Sequence, residues 1–251
     1  CEFDQLLWTC VNAGMNWPEA DHDDPSEETI WGRSKSGAHD AGRNLRVASS
    51  VKKRLKVSSV VHESTQMDTQ DNEDHTFNGI MFDVEVPDIL PIDIVRIDSV
   101  WVRGALGPMS VFVSADPEGY ERIYHEPEKW KKVHEKVHEE SYRDYVELKL
   151  DEPVVLRPTE RRALYVHSAR DDDEGIVYDN VRDECPHENG RLVIKANGMA
   201  HLNPEPFNDN DPWGWGRGWR RQREFVGRVS YGVRWILWGP EKHRQFPKKF
   251  K

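Results

Sequence analysis

From Phe77 onward the apolar and polar residues alternate with the period of two that marks a half-buried β-strand. Ile80–Val86 (IMFDVEV) alternates. Ile92–Arg103 (IDIVRIDSVWVR) does so strongly, placing Ile92, Ile94, Arg96, Asp98, Val100 and Val102 on one face, or the opposite set if a bulge intervenes. Met109–Ser114 follows the turn at Gly107–Pro108. Tyr145–Leu150, Val154–Leu156, Arg162–Ser168 (RALYVHS), Arg191–Lys195 and Phe225–Trp238 complete the set. Many short strands with turn signals and no βαβ alternation predict a mainly all-β chain, an antiparallel jelly-roll-like β-sandwich. One stretch departs from this. Pro127–Glu140 (PEKWKKVHEKVHEE) predicts a short inserted helix, with Pro127 in its first turn and Trp130, Val133 and Val137 as its packing stripe.

Residues 1–76 read differently. Asp4–Ala13 fits a short amphipathic helix, Glu19–Glu28 (EADHDDPSEE) an acidic loop and Ser34–Arg43 a polar, glycine-containing stretch. Val51–Val61 fits either a strand or a basic helical turn, and Ser64–Thr76 a polar linker. Too few apolar residues lie here to form a core. The expected organisation is therefore an extended N-terminal arm over 1–76, a sandwich over 77–238 and a basic tail over 239–251.

Charge sharpens this division. The 251-residue chain carries a net charge of −10. Residues 215–251 hold eleven basic residues against Glu224 and Glu241, a net +9, which leaves −19 on residues 1–214. The basic end must meet an acidic partner or acidic loops of its own fold. No run approaches the 18 apolar residues of a transmembrane helix. Three cysteines (Cys1, Cys10, Cys185) build neither a disulfide framework nor a zinc motif, which favours a reducing intracellular compartment, the cytoplasm or an organelle after transit-peptide removal.

The densest chemical signal is Asp211–Trp238 (DPWGWGRGWRRQREFVGRVSYGVRWILW), which holds five of the ten tryptophans among six arginines. Tryptophan and arginine are the side chains most enriched at binding hot spots. The interleaved Gly214, Gly216 and Gly218 predict an irregular loop. Trp213, Trp215, Arg217, Trp219, Arg220 and Arg221 are the expected partner contacts, while Trp235 and Trp238 lie in a strand pattern and serve the core. The same tryptophans also suit the apolar faces of sugar rings, which makes a glycan the alternative ligand. Nucleic acid is disfavoured, because the rest of the chain would repel a polyanion.

His134-Glu135-Lys136-Val137-His138 matches H-E-x-x-H, in which two histidines one helical turn apart bind zinc and the glutamate activates water. The surroundings are strongly polar, and a solvated helix accounts for the pattern. Only as a minor alternative does a zinc hydrolase with His134 and His138 as ligands stand beside it. Asp171 and Asp173, in the Asp171–Glu174 run, are minor candidates for a hard cation. The sequence carries no cofactor fingerprint and no catalytic residue is assigned.

Several segments resemble the PHR-type domains found on some ubiquitin-ligase and BTB proteins, and related sandwich domains of algal and protist proteins. They are Asn78–Val84 (NGIMFDV), Val146-Glu147-Leu148 with Pro153–Pro158 (PVVLRP), Ala163–Val166, and Leu192-Val193-Ile194 with Phe225–Tyr231. The resemblance implies a jelly-roll sandwich over about 77–238 that acts as an interaction module without catalytic residues. Together these readings predict a non-catalytic protein-binding module or accessory subunit of a larger assembly.

Overall fold

The computed structural model describes residues 57–238 except 90, 183 and 184. Nearly all the described residues belong to one compact unit, His62–Ile236. The expected helix at Asp4–Ala13, the acidic loop at Glu19–Glu28, the stretch Ser34–Arg43 and the tail 239–251 lie outside the described residues.

The fold is an antiparallel β-sandwich. Its smaller sheet runs in the order β1 (Val57–Asp68), β14 (Arg228–Trp238), β4 (Ile92–Gly104) and β7 (Ser141–Leu156). The larger runs β2 (His75–Phe77), β9 (Ile176–Asn180), β13 (Trp219–Phe225), β12 (Gly198–His201), β3 (Gly79–Glu85), β8 (Arg161–Ser168), β5 (Gly107–Ser114) and β6 (Trp130–His138). Two short strands, β10 (His187–Glu188) and β11 (Val193–Ile194), pair with each other, and β11 joins β3. Among the described residues there is one short α-helix, α1, spanning Tyr120–Ile123.

Alternation explains the core. Ile80, Phe82 and Val84 of β3, Leu164 and Val166 of β8, and Val229, Tyr231 and Val233 of β14 all join one buried cluster between the sheets. The intervening residues of the larger sheet are not left wet. Met81, Phe112, Ala163, Tyr165 and Met199 form a second cluster on its outer face with Tyr120, Ile123 and Trp130. A strand covered on both faces reads as a near-continuous apolar run, as GIMFDV and ALYVHS do.

On β4 the buried set is Ile92, Val95, Ile97, Val100 and Val102. The phase changes between Ile97 and Ser99, where the ladders to both β7 and β14 shift register. The buried set therefore follows neither phase throughout: Ile92, Val100 and Val102 keep the first and Val95 and Ile97 the opposite one, the ladder to β14 shifting again opposite Ile92–Ile94. Tyr145–Leu150 and Val154–Leu156 merge into β7, whose register slips opposite that same point.

Phe225–Trp238 is two strands, not one, because the chain leaves the larger sheet after Phe225 and enters the smaller at Arg228. Gly227 makes this crossing possible. A Cβ there would lie 2.2 Å from the Trp101 carbonyl oxygen and 2.5 Å from the Phe225 ring. Ser64–Asp68 and His75-Thr76, expected as linker, belong to β1 and β2; the polar residues alternate with buried Met67 and Thr69, which the low apolar content concealed.

Pro127–Glu140 is not a helix. Pro127–Lys129 makes one 3-10 turn and β6 follows directly, paired along its length with β5. The apolar spacing of Trp130 and Val133 fits a bulged strand as well as a helix, and a register shift falls between Val111 and Phe112, opposite Val133. Val137, expected in the stripe, is 79% exposed. The ladder to β5 overrides local helical preference.

Candidate interaction surface

The segment 202–218 covers part of the second cluster and ends in the tryptophan-arginine loop. Its frame is built from backbone carbonyls that need donors. Leu202 N donates to Gly218 O at 2.8 Å and Gly218 N to Asp209 O at 3.1 Å. The Asp211 carboxylate accepts from Trp213 N at 2.9 Å. Arg220 reaches back from β13 to donate to the carbonyls of Arg217 and Trp215, each at 2.8 Å. Gly214 and Gly216 have φ of +77° and +116°, and nothing crowds either one. The turn thus takes its shape from glycine and its rigidity from Arg220.

The three expected contact tryptophans occupy different environments. Trp213 packs on the main core and donates its indole N–H to Leu202 O at 3.1 Å. Trp219 lies on β13, not in the loop, and stacks on His201 with ring centroids 4.0 Å apart. It also meets Tyr124 edge-on at 5.6 Å. Both rings are anchors whose faces are already covered. Trp215 is 55% exposed. Its inner edge meets Phe77 at 6.2 Å, and Phe77 in turn stacks on Tyr178 at 4.8 Å. Trp215 is therefore the outer member of an aromatic row that begins in the core.

The arginines divide in the same way. Arg228 pairs with Asp68 and Arg234 with Asp93. Arg221 lies 3.6 Å from Glu121 and Arg220 4.0 Å from Asp211. Much of the basic excess is thus met by acidic residues of the same sandwich. The Arg217 guanidinium is exposed and has no ion-pair partner among the described residues. Trp235 is half-buried against the core beneath the Arg191 guanidinium, 5.8 Å from the ring. The Trp238 side chain lies outside the described ones.

His134 and His138 sit on β6, so a strand and not a helical turn separates them. Successive side chains on a strand point to opposite faces. Glu135 therefore points away from the histidines, and its carboxylate takes the Lys132 ammonium at 2.7 Å. It cannot activate a water between the imidazoles, and the helical zinc-hydrolase arrangement is absent. His134 is buried and its Nδ1 lies 2.8 Å from Lys149 O of β7. A carbonyl only accepts, so Nδ1 carries the proton and Nε2 is left with its lone pair. That nitrogen faces His138 Nε2 at 3.0 Å. Burial, with the neighbouring His134 second, lowers the His138 pKa below its ordinary value.

In the acidic run Asp171–Glu174, the Asp171 side chain is exposed. Arg170 pairs with Asp172, and Glu174 accepts from the Tyr142 hydroxyl at 3.1 Å. The buried Asn78 amide donates to the carbonyls of Arg170 and Asp172, each at 2.9 Å, which engages those oxygens. Among the described residues no group of three or more His, Cys, Asp or Glu is arranged to hold a metal. Nor is any helix there long and apolar enough to cross a membrane.

Two buried polar groupings were not singled out from sequence. Tyr165, whose hydroxyl donates to His201 Nδ1 at 2.6 Å, lies beside His167 in the second cluster. His201 and His167 donate through Nε2 to the carbonyls of Asn208 and Asn203, each at 2.9 Å. Burial lowers His167 to about 4 and His201 to about 3. Both stay neutral and act as clamps on the 202–218 segment. Asp83, on β3, lines a polar pocket of about 340 Å3 with Glu85, Glu118, Gly119, Arg122 and Arg161. Burial raises its carboxyl to about 6, against the pull of the Tyr120 backbone N–H at 2.9 Å. A histidine or aspartate inside a strand pattern gives no warning of such a role, because nothing in alternation marks which polar residue faces inward. No protein-family model matches this chain, and no curated protein matches it in sequence.

Proposed function

We propose that the chain is a non-catalytic, PHR-like interaction module or accessory subunit that holds a protein partner through the tip of the 211–218 loop. The observation that carries this reading is Trp215, a large ring 55% exposed on a turn that Arg220 holds by two backbone carbonyls. An exposed indole costs water-ordering free energy until something covers it, and a pre-formed turn loses little entropy when that happens. Arg217 beside it offers an unpaired guanidinium to a carboxylate of the partner. Arg221, exposed and loosely held by Glu121, extends the same patch. Trp213, Trp219 and Arg220 support the contact by fixing the loop.

Native co-purification of wild-type chain and of Trp215→Ala/Arg217→Ala, with mass spectrometry at low and high salt, tests the reading. A set of protein partners that survives high salt with wild type and is lost with the double variant is expected. Truncating a true hot spot of about 2 kcal/mol or more weakens binding about thirtyfold. Partners retained equally by both chains would refute the role of this loop. A wild-type chain that elutes alone would turn attention to the second reading, a glycan stacked on the same indole. That reading predicts a saccharide-induced change in tryptophan fluorescence that Trp215→Ala abolishes.

A further inference from the structure

The geometry points to a two-imidazole site for one transition-metal ion of the zinc or copper class, formed by His134 and His138 where β6 meets β7 at the edge of the sandwich. The two ring centroids are 5.2 Å apart and the two Nε2 atoms 3.0 Å apart. The difference, 2.2 Å, is about two ring radii, so the nitrogens face each other nearly head-on along the line of centres. Such a pair holds either a shared proton or a shared metal ion.

Three features favour ion capture. First, one ligand is already set. Donation of Nδ1–H to the Lys149 carbonyl orients the His134 ring and leaves its Nε2 lone pair pointing at the site. A ring N–H held by a backbone carbonyl is the usual outer partner of a metal-bound histidine. Second, the movement falls on one side chain. Zinc–imidazole bonds of about 2.0–2.1 Å at a tetrahedral angle place the two nitrogens about 3.3 Å apart with the ion off the line between them, so His138 must swing its Nε2 aside by about 2 Å from the head-on pair. His138 is half-buried at the end of β6, where rotation of its side chain can supply that movement. Third, the protons are accounted for. When the ion binds, His138 keeps one ring proton by moving it from Nε2 to its outer Nδ1, so both ligands stay neutral and no proton need be released. Imidazole nitrogen suits zinc and copper and not the hard cations.

With only two protein ligands, water completes the coordination. Glu135 lies on the opposite face of the strand and takes no part, so the ion fastens the sandwich edge and is not the centre of a hydrolase. The site is independent of the Trp215 surface and stands or falls separately from the proposed function.

The test is equilibrium dialysis and calorimetric titration of the full, tag-free chain with Zn2+ alone, and then with Cu2+. The chains compared are wild type, His138→Gln and Glu135→Gln. Gln at 138 retains a donor toward His134 Nε2 and so preserves the fold, which circular dichroism confirms before titration. One ion per wild-type chain, binding at least tenfold weaker in His138→Gln and unchanged within twofold in Glu135→Gln, is the expected result. X-ray absorption of the wild-type complex should show two imidazole ligands. Absence of stoichiometric ion in wild type, or equal binding by His138→Gln, overturns the proposal, the latter by assigning the ion to others of the eleven histidines. Loss of the ion in Glu135→Gln overturns it in favour of a glutamate-dependent site.

Discussion

The sharpest test of the loop's architecture is the contrast between Trp219→Ala and Trp215→Ala. Sequence places both in one tryptophan-arginine cluster, while the fold gives them opposite roles. Trp219 stacks on His201 at 4.0 Å and meets Tyr124 and Tyr165 at 5.6 and 5.9 Å. Truncating a large buried aromatic costs about 3–5 kcal/mol, and each lost aromatic pair contributes about 0.5–1.5 kcal/mol within that range. Part of the Trp219 ring stays accessible, so about 3 kcal/mol is expected. For a unit of this size that lowers Tm by about 6–12 °C. Trp215 is 55% exposed, and Arg220 holds its backbone carbonyl, not its ring. Its truncation should cost under about 1 kcal/mol and move Tm by no more than about 3 °C. Scanning calorimetry and urea denaturation of the two single variants measure both values. Equal melting temperatures, or a Trp215→Ala chain less stable than Trp219→Ala, would refute the division into anchor and contact.

Acid stability follows from the buried titrating groups. His167 and His201 fall from 6.5 to about 4 and about 3, so below pH 6.5 the unfolded chain binds protons that the folded one refuses. Stability is lost as pH falls through that window, by up to about 1.4 kcal/mol per pH unit for each histidine. Asp83 acts oppositely between 3.8 and about 6, where the folded state holds the extra proton. Urea titrations at pH 4–6 should therefore show stability falling as pH falls, and Asp83→Asn should steepen that slope while raising stability at pH 7. An unchanged slope in Asp83→Asn would sink this assignment. Arg103 donates to Asp71 at 2.9 and 2.5 Å, to Asp74 at 2.7 Å and to the Tyr142 carbonyl at 2.9 Å, tying the 69–74 connection to β4 and β7. Lysine cannot reproduce this fork, so Arg103→Lys should cost about 2 kcal/mol and speed amide exchange around residues 70–75. Exchange there at the wild-type rate would show that the connection is held by other means.

How much of this was readable in the chain depends on which force shaped each element. Strands β3, β4, β5 and β8 were legible because burial imposes alternation on them, and even the bulge in β4 was an available reading of its pattern. Strands β9 and β12 were missed because IVYDN and GMAH are too short to display a period. Their place is set by partners far away in sequence, Arg223–Phe225 and Gly79–Met81. The β6 segment was misread for a related reason. Its apolar spacing fits a helix, but the ladder to β5 is a tertiary fact that local propensity does not contain. The H-E-x-x-H spacing was thus read correctly as a pattern and assigned to the wrong element. In a strand the same two histidines converge head-on while the glutamate faces away, so the arrangement that hydrolysis needs is not formed. The tryptophan-arginine cluster repeats the lesson at the surface. Composition located the region, but composition cannot tell a ring stacked on His201 from one facing water. Nor can net charge reveal that Arg228, Arg234 and Arg221 are matched by Asp68, Asp93 and Glu121 of the same sandwich. Removing the side chains spent on the fold's own stability leaves Trp215 and Arg217. That small remainder of exposed aromatic area and unpaired charge is what the proposed contact rests on, and it is far less than the composition of the segment suggests.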